Sequence, residues 1–135
     1  MEFIEKLGFK YAGKWVLEKG KIKPDFIESK KVLEKVLYAF VVGETVKYVG
    51  KTISRTLKGR ADSYQYGTGG GANERGRKNI KETIESGKSV LIYVLSNDDI
   101  KVNDEIISLT TFTAGLEDKV IGKLSPEWNR QGVEK

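Results

Sequence analysis

Two unbroken apolar runs constrain this chain more than any other feature. Val36 to Val42 reads VLYAFVV and Ser89 to Leu95 reads SVLIYVL, both rich in β-branched and aromatic residues. Each run predicts a strand, and one with no polar alternation can be covered on both faces. SVLIYVL is the most apolar stretch of the chain and is expected at the centre of a sheet. VLYAFVV is followed by Gly43-Glu44 and then VKYVG, which together predict a β-hairpin. Tyr38 and Tyr48 stand five residues to either side of Gly43. A register centred on that glycine places the two phenols opposite each other on one face, and a slip of one residue separates them.

The remaining elements are read from spacing and from breakers. Ile53, Leu57, Ala61 and Tyr64 recur at helical intervals and predict a helix from Thr52 to Tyr64. YGTGGGAN, residues 66–73, is too rich in glycine for regular structure and predicts a loop. Asn73 then stands where it can cap a helix that turns Ile80 and Ile84 inward and stops at Gly87. SNDD, residues 96–99, predicts a turn, and IKVNDEIISL after it is open between strand and loop. A last helix is expected from about Thr113, as its N-cap, to Leu124, with Pro126 beyond. In residues 1–35 the pieces FKYAG, KWVLEKG and KIKPDF predict a small hairpin decorating the core, and Pro24 argues against a helix there. No internal repeat is present.

At 135 residues the chain fits a single domain, 1–135. Its 39% hydrophobic and 32% charged residues suit a soluble globular protein. No run approaches the roughly 18 apolar residues of a membrane span, and Met1-Glu2-Phe3 opens no signal peptide, so a cytoplasmic, intracellular protein with no membrane partner is expected. Cysteine and histidine are both absent. That removes disulfides, cysteine zinc sites, Ser-His triads and the commonest general base, leaving Tyr, Asp, Glu, Lys and Arg to do any catalysis. The net charge of +5 and pI near 9.3 suit a polyanionic partner. Between Val46 and Ala61 five basic residues occur without an acid, a stretch that fits a solvated surface as well as a phosphate-facing one.

Helical phase singles out two charges. At about 100° per residue, with Ile53 as zero, Leu57, Ala61 and Tyr64 fall between about 20° and 80° and Arg60 near −20°, while Arg55 and Lys58 fall on the far side. Arg60 therefore points inward, where a guanidinium needs a partner or an anion. On the last helix, with Leu116 as zero, Val120, Leu124 and Ile121 span about 40° to 140° and Glu117 lies near 100°. A carboxylate in that arc calls for a cation: Arg60 itself, as an internal salt bridge, or a divalent metal.

Taken together these residues resemble the GIY-YIG nuclease superfamily. Leu37-Tyr38-Ala39 and Tyr48-Val49-Gly50 are similar to its two half-motifs, although the first keeps only the tyrosine. Arg60 and Tyr64 match the arginine and the histidine or tyrosine of the following helix, Glu117 the metal-binding glutamate, and Asn129 in PEWNRQG a later asparagine. The match runs from Val36 to Gly132, so the resemblance makes 36–132 the nuclease core and 1–35 an N-terminal extension. The Trp-Asn pair and the stretch GFKYAGKW look more like the type II restriction endonuclease branch. Val49-Gly50-Lys51-Thr52 imitates the end of a phosphate-binding P-loop, but Thr45 stands where that motif needs glycine.

The resemblance implies an α+β fold, with a small antiparallel sheet of about three central strands flanked by helices, and a Mg²⁺ (or Mn²⁺) dependent endonuclease acting on double-stranded DNA. It implies Tyr38 as the group that takes a proton from water, helped toward the phenolate by Lys51, Arg60 and the metal. Glu117 would be the single protein carboxylate on the metal, and Arg60 the group on the scissile phosphate. Tyr48 and Tyr64 would position water or phosphate, Asn129 would brace the site, and Lys51 would also serve as a plain phosphate contact. Arg55, Arg75, Arg77, Lys78 and Arg130 complete the expected DNA-binding set, with the glycine-rich loop and the N-terminal hairpin as alternative base readers. A restriction enzyme with one site per chain would cut a palindrome as a homodimer. Two alternatives remain: a repair or mobile-element nuclease acting on branched or damaged DNA, and a non-catalytic nucleic-acid-binding module on the same scaffold.

Overall fold

The computed structural model describes residues 1–27, 36–52, 56–66, 71–96 and 109–130. In chain order the elements are α1 (Glu2–Leu7), β1 (Lys10–Glu18), β2 (Lys21–Phe26), β3 (Leu37–Val42), β4 (Thr45–Lys51), α2 (Leu57–Tyr66), α3 (Gly71–Glu85), β5 (Val90–Leu95), α4 (Leu109–Leu124) and α5 (Glu127–Arg130). The strands form one sheet in the order β2-β1-β5-β3-β4, antiparallel throughout. The α+β expectation holds, but the sheet has five strands rather than about three. FKYAG and KWVLE are a single strand, β1, which pairs along β5 with Lys10 opposite Val94 and Trp15 opposite Val90. The N-terminal hairpin is therefore part of the sheet and not a decoration on it. It carries Ala12, Trp15 and Ile22 into the core. Pro24 lies in β2 at the sheet edge, where its missing N–H can face outward without breaking the ladder.

The two apolar runs sit where their composition requires. β5 is the central strand and β3 its neighbour. Successive side chains of β3 go to opposite faces, and both faces are covered. Tyr38 and Phe40 join Trp15, Val90, Ile92 and Val94 beneath α2 and α3, which contribute Leu57, Ala61, Tyr64 and Ile80. Leu37, Ala39 and Val41 join Val46, Val49 and Leu95 beneath α1 and α4, which contribute Ile4 and Val120. Each large side chain buried in this way contributes about 1.5–3 kcal/mol.

The hairpin register differs from one centred on Gly43. Gly43 takes φ 61°, the left-handed value a tight two-residue turn needs, and Val42 faces Thr45. A bulge between Phe40 and Val41 then shifts the ladder: Val41 faces Val46, Phe40 faces Tyr48 and Tyr38 faces Gly50. Tyr38 and Tyr48 still share a face, but as diagonal neighbours with ring centroids 6.1 Å apart. The turn slips the pairing by one residue from a register centred on Gly43, and the bulge, with Lys47 as the extra residue, slips it by one more, so the two together keep Tyr48 on the face of Tyr38.

Helix boundaries follow local chemistry. α3 ends as expected at Gly87, whose φ of 94° lets its N–H bond the carbonyl of Ile84 while Lys88 N–H reaches that of Thr83. Asn73 does not cap this helix, because α3 already begins at Gly71. α4 begins at Leu109, so Thr113 lies inside it. α1 was not anticipated; it is short, and the carbonyls of Glu5 and Ile4 accept from Gly8 and Phe9 at its end. Ile53 and Arg55 at the expected start of the second helix, the glycines at 67, 69 and 70, and the segment 97–108 with its expected turn lie outside the described residues.

Candidate active site

The site is built outward from Tyr38 in the middle of β3. Its ring lies across Gly50, and a Cβ at position 50 would fall onto the phenol oxygen and stand 2.9 Å from Cε1. The glycine of Tyr48-Val49-Gly50 is thus the seat of the first tyrosine. Tyr48 stacks on Phe40 with centroids 5.6 Å apart and remains half-buried, whereas Tyr38 and Tyr64 are each 1% exposed. Tyr64 comes down from α2 and its hydroxyl lies 2.9 Å from that of Tyr38.

Arg60, one turn earlier on α2, faces inward as helical phase predicts. Its Nη2 donates to the Tyr64 hydroxyl at 3.2 Å, and its guanidinium carbon lies 4.5 Å from the centre of the Tyr64 ring. Its Nη1 donates to Asn73 Oδ1 at 2.9 Å. A guanidinium carries five N–H donors, so these two bonds to described residues leave others, with the Tyr38 hydroxyl close by, for a ligand. Burial opposes the charge on Arg60, but Tyr38, Tyr64 and Tyr48 outweigh it and raise the pKa, so Arg60 stays cationic.

Burial governs the tyrosines in the other direction. It pushes the Tyr38 phenol well above its ordinary value, with Tyr48 adding to the rise, while the Arg60 guanidinium and the Tyr64 hydrogen bond only partly offset it. Burial likewise raises Tyr64, and Tyr38 and Tyr48 reinforce it. Arg60 does pull Tyr38 toward the phenolate, the expected direction, and burial outweighs that pull in the protein alone.

Glu117 also faces inward, with 14% of its side chain exposed, while Asp118 and Lys119 on the same turn are exposed. Its partner is not Arg60. Oε1 accepts from Lys51 Nζ at 3.0 Å, which joins the end of β4 to α4. Asn129 braces the outer edge of β4: Oδ1 accepts from Val49 N–H and Nδ2 donates to Val49 C=O, each at 2.8 Å. β4 is an edge strand, and one amide side chain closes both exposed backbone groups of Val49. Lys47 Nζ and Glu127 Oε1, 2.9 Å apart, fasten α5 to the same strand, and Trp128 packs into the cluster that holds Tyr38.

The expected DNA-binding residues divide. Arg75 and Lys78 are exposed on α3. Arg77 is half-buried, and its Nε donates to the carbonyl of Tyr64 at 2.8 Å, so it holds the end of α2. Lys58 is exposed and pairs with Asp62 at 3.0 Å. Arg55 lies outside the described residues, and Arg130 is the last residue of α5. The contact between Arg60 and Asn73 was missed because Asn73 fits a cap position equally well in sequence. The mid-helix glycine at 76 was the available signal that α3 approaches something closely.

No family model matches the chain, and neither does any curated protein. Solved structures do. A mutant of bacteriophage T4 EndoII superposes with a TM-score of 0.71 at 20% identity, over 94% of this chain and 96% of that one. The restriction endonuclease HPY188I, in complex with product DNA, superposes with a TM-score of 0.53 at 17% identity, over 92% of this chain and 80% of that one. The chain has the fold of these two proteins. The first likeness spans β1 and β2 as well as the later elements, which agrees with a sheet of five strands rather than a core with an appendage. Among the described residues no helix is long and apolar enough to cross a membrane.

Proposed function

We propose that this chain is a Mg²⁺-dependent endonuclease of the GIY-YIG type that hydrolyses phosphodiester bonds of double-stranded DNA, and that it belongs with the type II restriction enzymes. The observation that carries the reading is Arg60: an inward-facing guanidinium held by Tyr64 and Asn73, with further N–H donors than these two bonds use, joined through Tyr64 to the Tyr38 hydroxyl. Such a fork suits the charge that builds up on a phosphate during hydrolysis. A restriction endonuclease of the same fold binds DNA, which supports the same substrate here.

The residues fit a Mg²⁺ ion in one way. Among the described residues no three acidic side chains stand together, so an all-protein cage is not available. Mg²⁺ commonly takes one or two carboxylates and fills its other positions with water and phosphate oxygens, and Glu117 supplies one. The bound ion would supply charge for the developing phosphorane and lower the pKa of an attacking water. Lys51 bonds only Oε1 of Glu117, so Oε2 would remain for the ion, and a phosphate would be a second partner for the ammonium.

Proton removal from the attacking water falls to the tyrosine pair. Tyr48 is the half-buried member, and Tyr38 lies behind it against Tyr64. Because burial keeps Tyr38 neutral at rest, its phenolate forms only when a cation is brought against it. Lys51 and Arg60 contact phosphate, Tyr64 orients Arg60, and Asn129 keeps β4 straight under the site. Arg75, Lys78, Arg55 and Arg130 contribute backbone contacts to the duplex. A homodimer on a palindromic site gives one cut per strand.

The Lys51–Glu117 pair favours one second reading, a nucleic-acid-binding module in which that pair is purely structural. Incubation of plasmid, linear and branched DNA with the protein and Mg²⁺ separates the readings. Discrete fragments with one sequence at every cut end are expected. Structure-dependent nicks point instead to a repair or mobile-element nuclease, and intact DNA under Mg²⁺ and Mn²⁺ alike leaves the binding module.

A further inference from the structure

The first turns of α3 touch the Arg60–Tyr64 pair at three independent points. Asn73 Oδ1 accepts from Arg60 Nη1 at 2.9 Å. Three residues on, a Cβ at Gly76 would lie 2.6 Å from both Cδ1 and Cε1 of Tyr64, so the absence of a side chain there is what lets the ring pack against the helix. One residue further, Arg77 Nε donates to the Tyr64 backbone carbonyl at 2.8 Å. Side chain, ring and backbone of one α2 turn are therefore all fixed by a single stretch of α3.

Only the Asn73 contact acts on the guanidinium directly. Tyr64 sets the plane of Arg60 from below, because the ring lies beneath the guanidinium carbon. With the Nη2 bond to the Tyr64 hydroxyl alone the fork can still swing about its side-chain torsions, and a second hydrogen bond to a different nitrogen restricts that swing. Asn73 supplies it. Its Nδ2 has no protein partner among the described residues and stands as a further donor beside the fork.

We propose that Asn73 is the positioning residue for Arg60: it holds the guanidinium in place so that its remaining donors face the scissile phosphate, with Gly76 and Arg77 holding the platform. The role rests on the nuclease reading above. A lost or misdirected fork is costly to rate because errors of about 1 Å at a reacting group cost up to about 10²-fold.

The test is single-turnover cleavage of plasmid DNA with enzyme in excess, together with the ¹⁵N-detected Arg60 Nη1–H signal of the DNA-free protein. Asn73→Ala is expected to lower the cleavage rate about 10- to 100-fold while DNA affinity changes less than about threefold, since one hydrogen bond within the protein and not a phosphate contact is removed. Asn73→Asp, which keeps an acceptor in place, is expected to restore part of the rate. In an Arg60→Lys background, which has no fork to orient, Asn73→Ala is expected to have almost no further effect. Its full effect persisting there, or wild-type cleavage by Asn73→Ala, would overturn the role. The Arg60 Nη1–H signal should exchange faster with solvent in Asn73→Ala, and an unchanged signal overturns the clamp even if the wild-type protein cleaves no DNA. Absence of cleavage by wild type, with the clamp present, sinks the nuclease reading and the catalytic part of this proposal together.

Discussion

Three glycines carry opposite instructions, and their difference comes from what faces them. Gly76 lies inside α3, where alanine would ordinarily add about 1 kcal/mol of helix propensity. Its missing Cβ faces the buried ring of Tyr64 at 2.6 Å, and overpacking of that kind costs about 1–3 kcal/mol. Gly76→Ala should therefore lower the urea midpoint. Gly122 is exposed on α4 with nothing near its missing Cβ, so Gly122→Ala should raise the midpoint, by about 0.5–1 kcal/mol in stability. Gly50→Ala drives a methyl group into the Tyr38 phenol, and a loss of both stability and activity is expected, measured by thermal melting and cleavage. Arg60 and Glu117 were legible as inward charges because a helix repeats at a known angle. Their partners were not legible: which cation meets Glu117 depends on where β4 ends against α4, and the answer is Lys51.

At the scale of elements, the strands that bury both faces were the readable ones. β3 and β5 fall on VLYAFVV and SVLIYVL, and β5 is the central strand that the most apolar run predicts. β1 was harder to read because Lys10, Lys14 and Gly13 interrupt its apolar residues, although Trp15 and Ala12 face the core. The hairpin register escaped because a bulge is invisible to symmetry about a turn. The edge strand β4 offers a prediction at this scale. Asn129 satisfies both the N–H and the C=O of Val49, so Asn129→Ala should cost about 1–3 kcal/mol and speed hydrogen exchange at the Val49 amide more than elsewhere in the sheet. Equal protection in the two proteins would show that Asn129 does not brace the strand.

Across the whole molecule, three effects of the buried tyrosine cluster combine: a neutral interior at rest, a permanent cation at its rim and an alkaline limit on stability. Tyr38 and Tyr64 have raised pKa values in the folded protein, so above about pH 10 the unfolded chain loses protons that the folded chain retains. Their contribution to stability is complete below that pH and is lost as the pH rises further. Tyrosinate absorbance should accordingly rise in two stages, exposed phenols first and the buried pair only as the protein unfolds. The candidate residues come from elements far apart in sequence: Tyr38 from β3, Arg60 from α2 and Asn73 from α3 meet through Tyr64, while Glu117 from α4 meets Lys51 at the end of β4. The central claim is that this constellation cleaves DNA. The most direct measurement compares Mg²⁺-dependent cleavage of double-stranded DNA by wild type, Arg60→Ala and Glu117→Gln, each checked for an unchanged fold. The account predicts cleavage by wild type, a fall of about 10²- to 10³-fold on removing Arg60, and a loss with Glu117→Gln that added Mn²⁺ does not fully restore. Cleavage by both variants at the wild-type rate, or no cleavage by wild type, would contradict it.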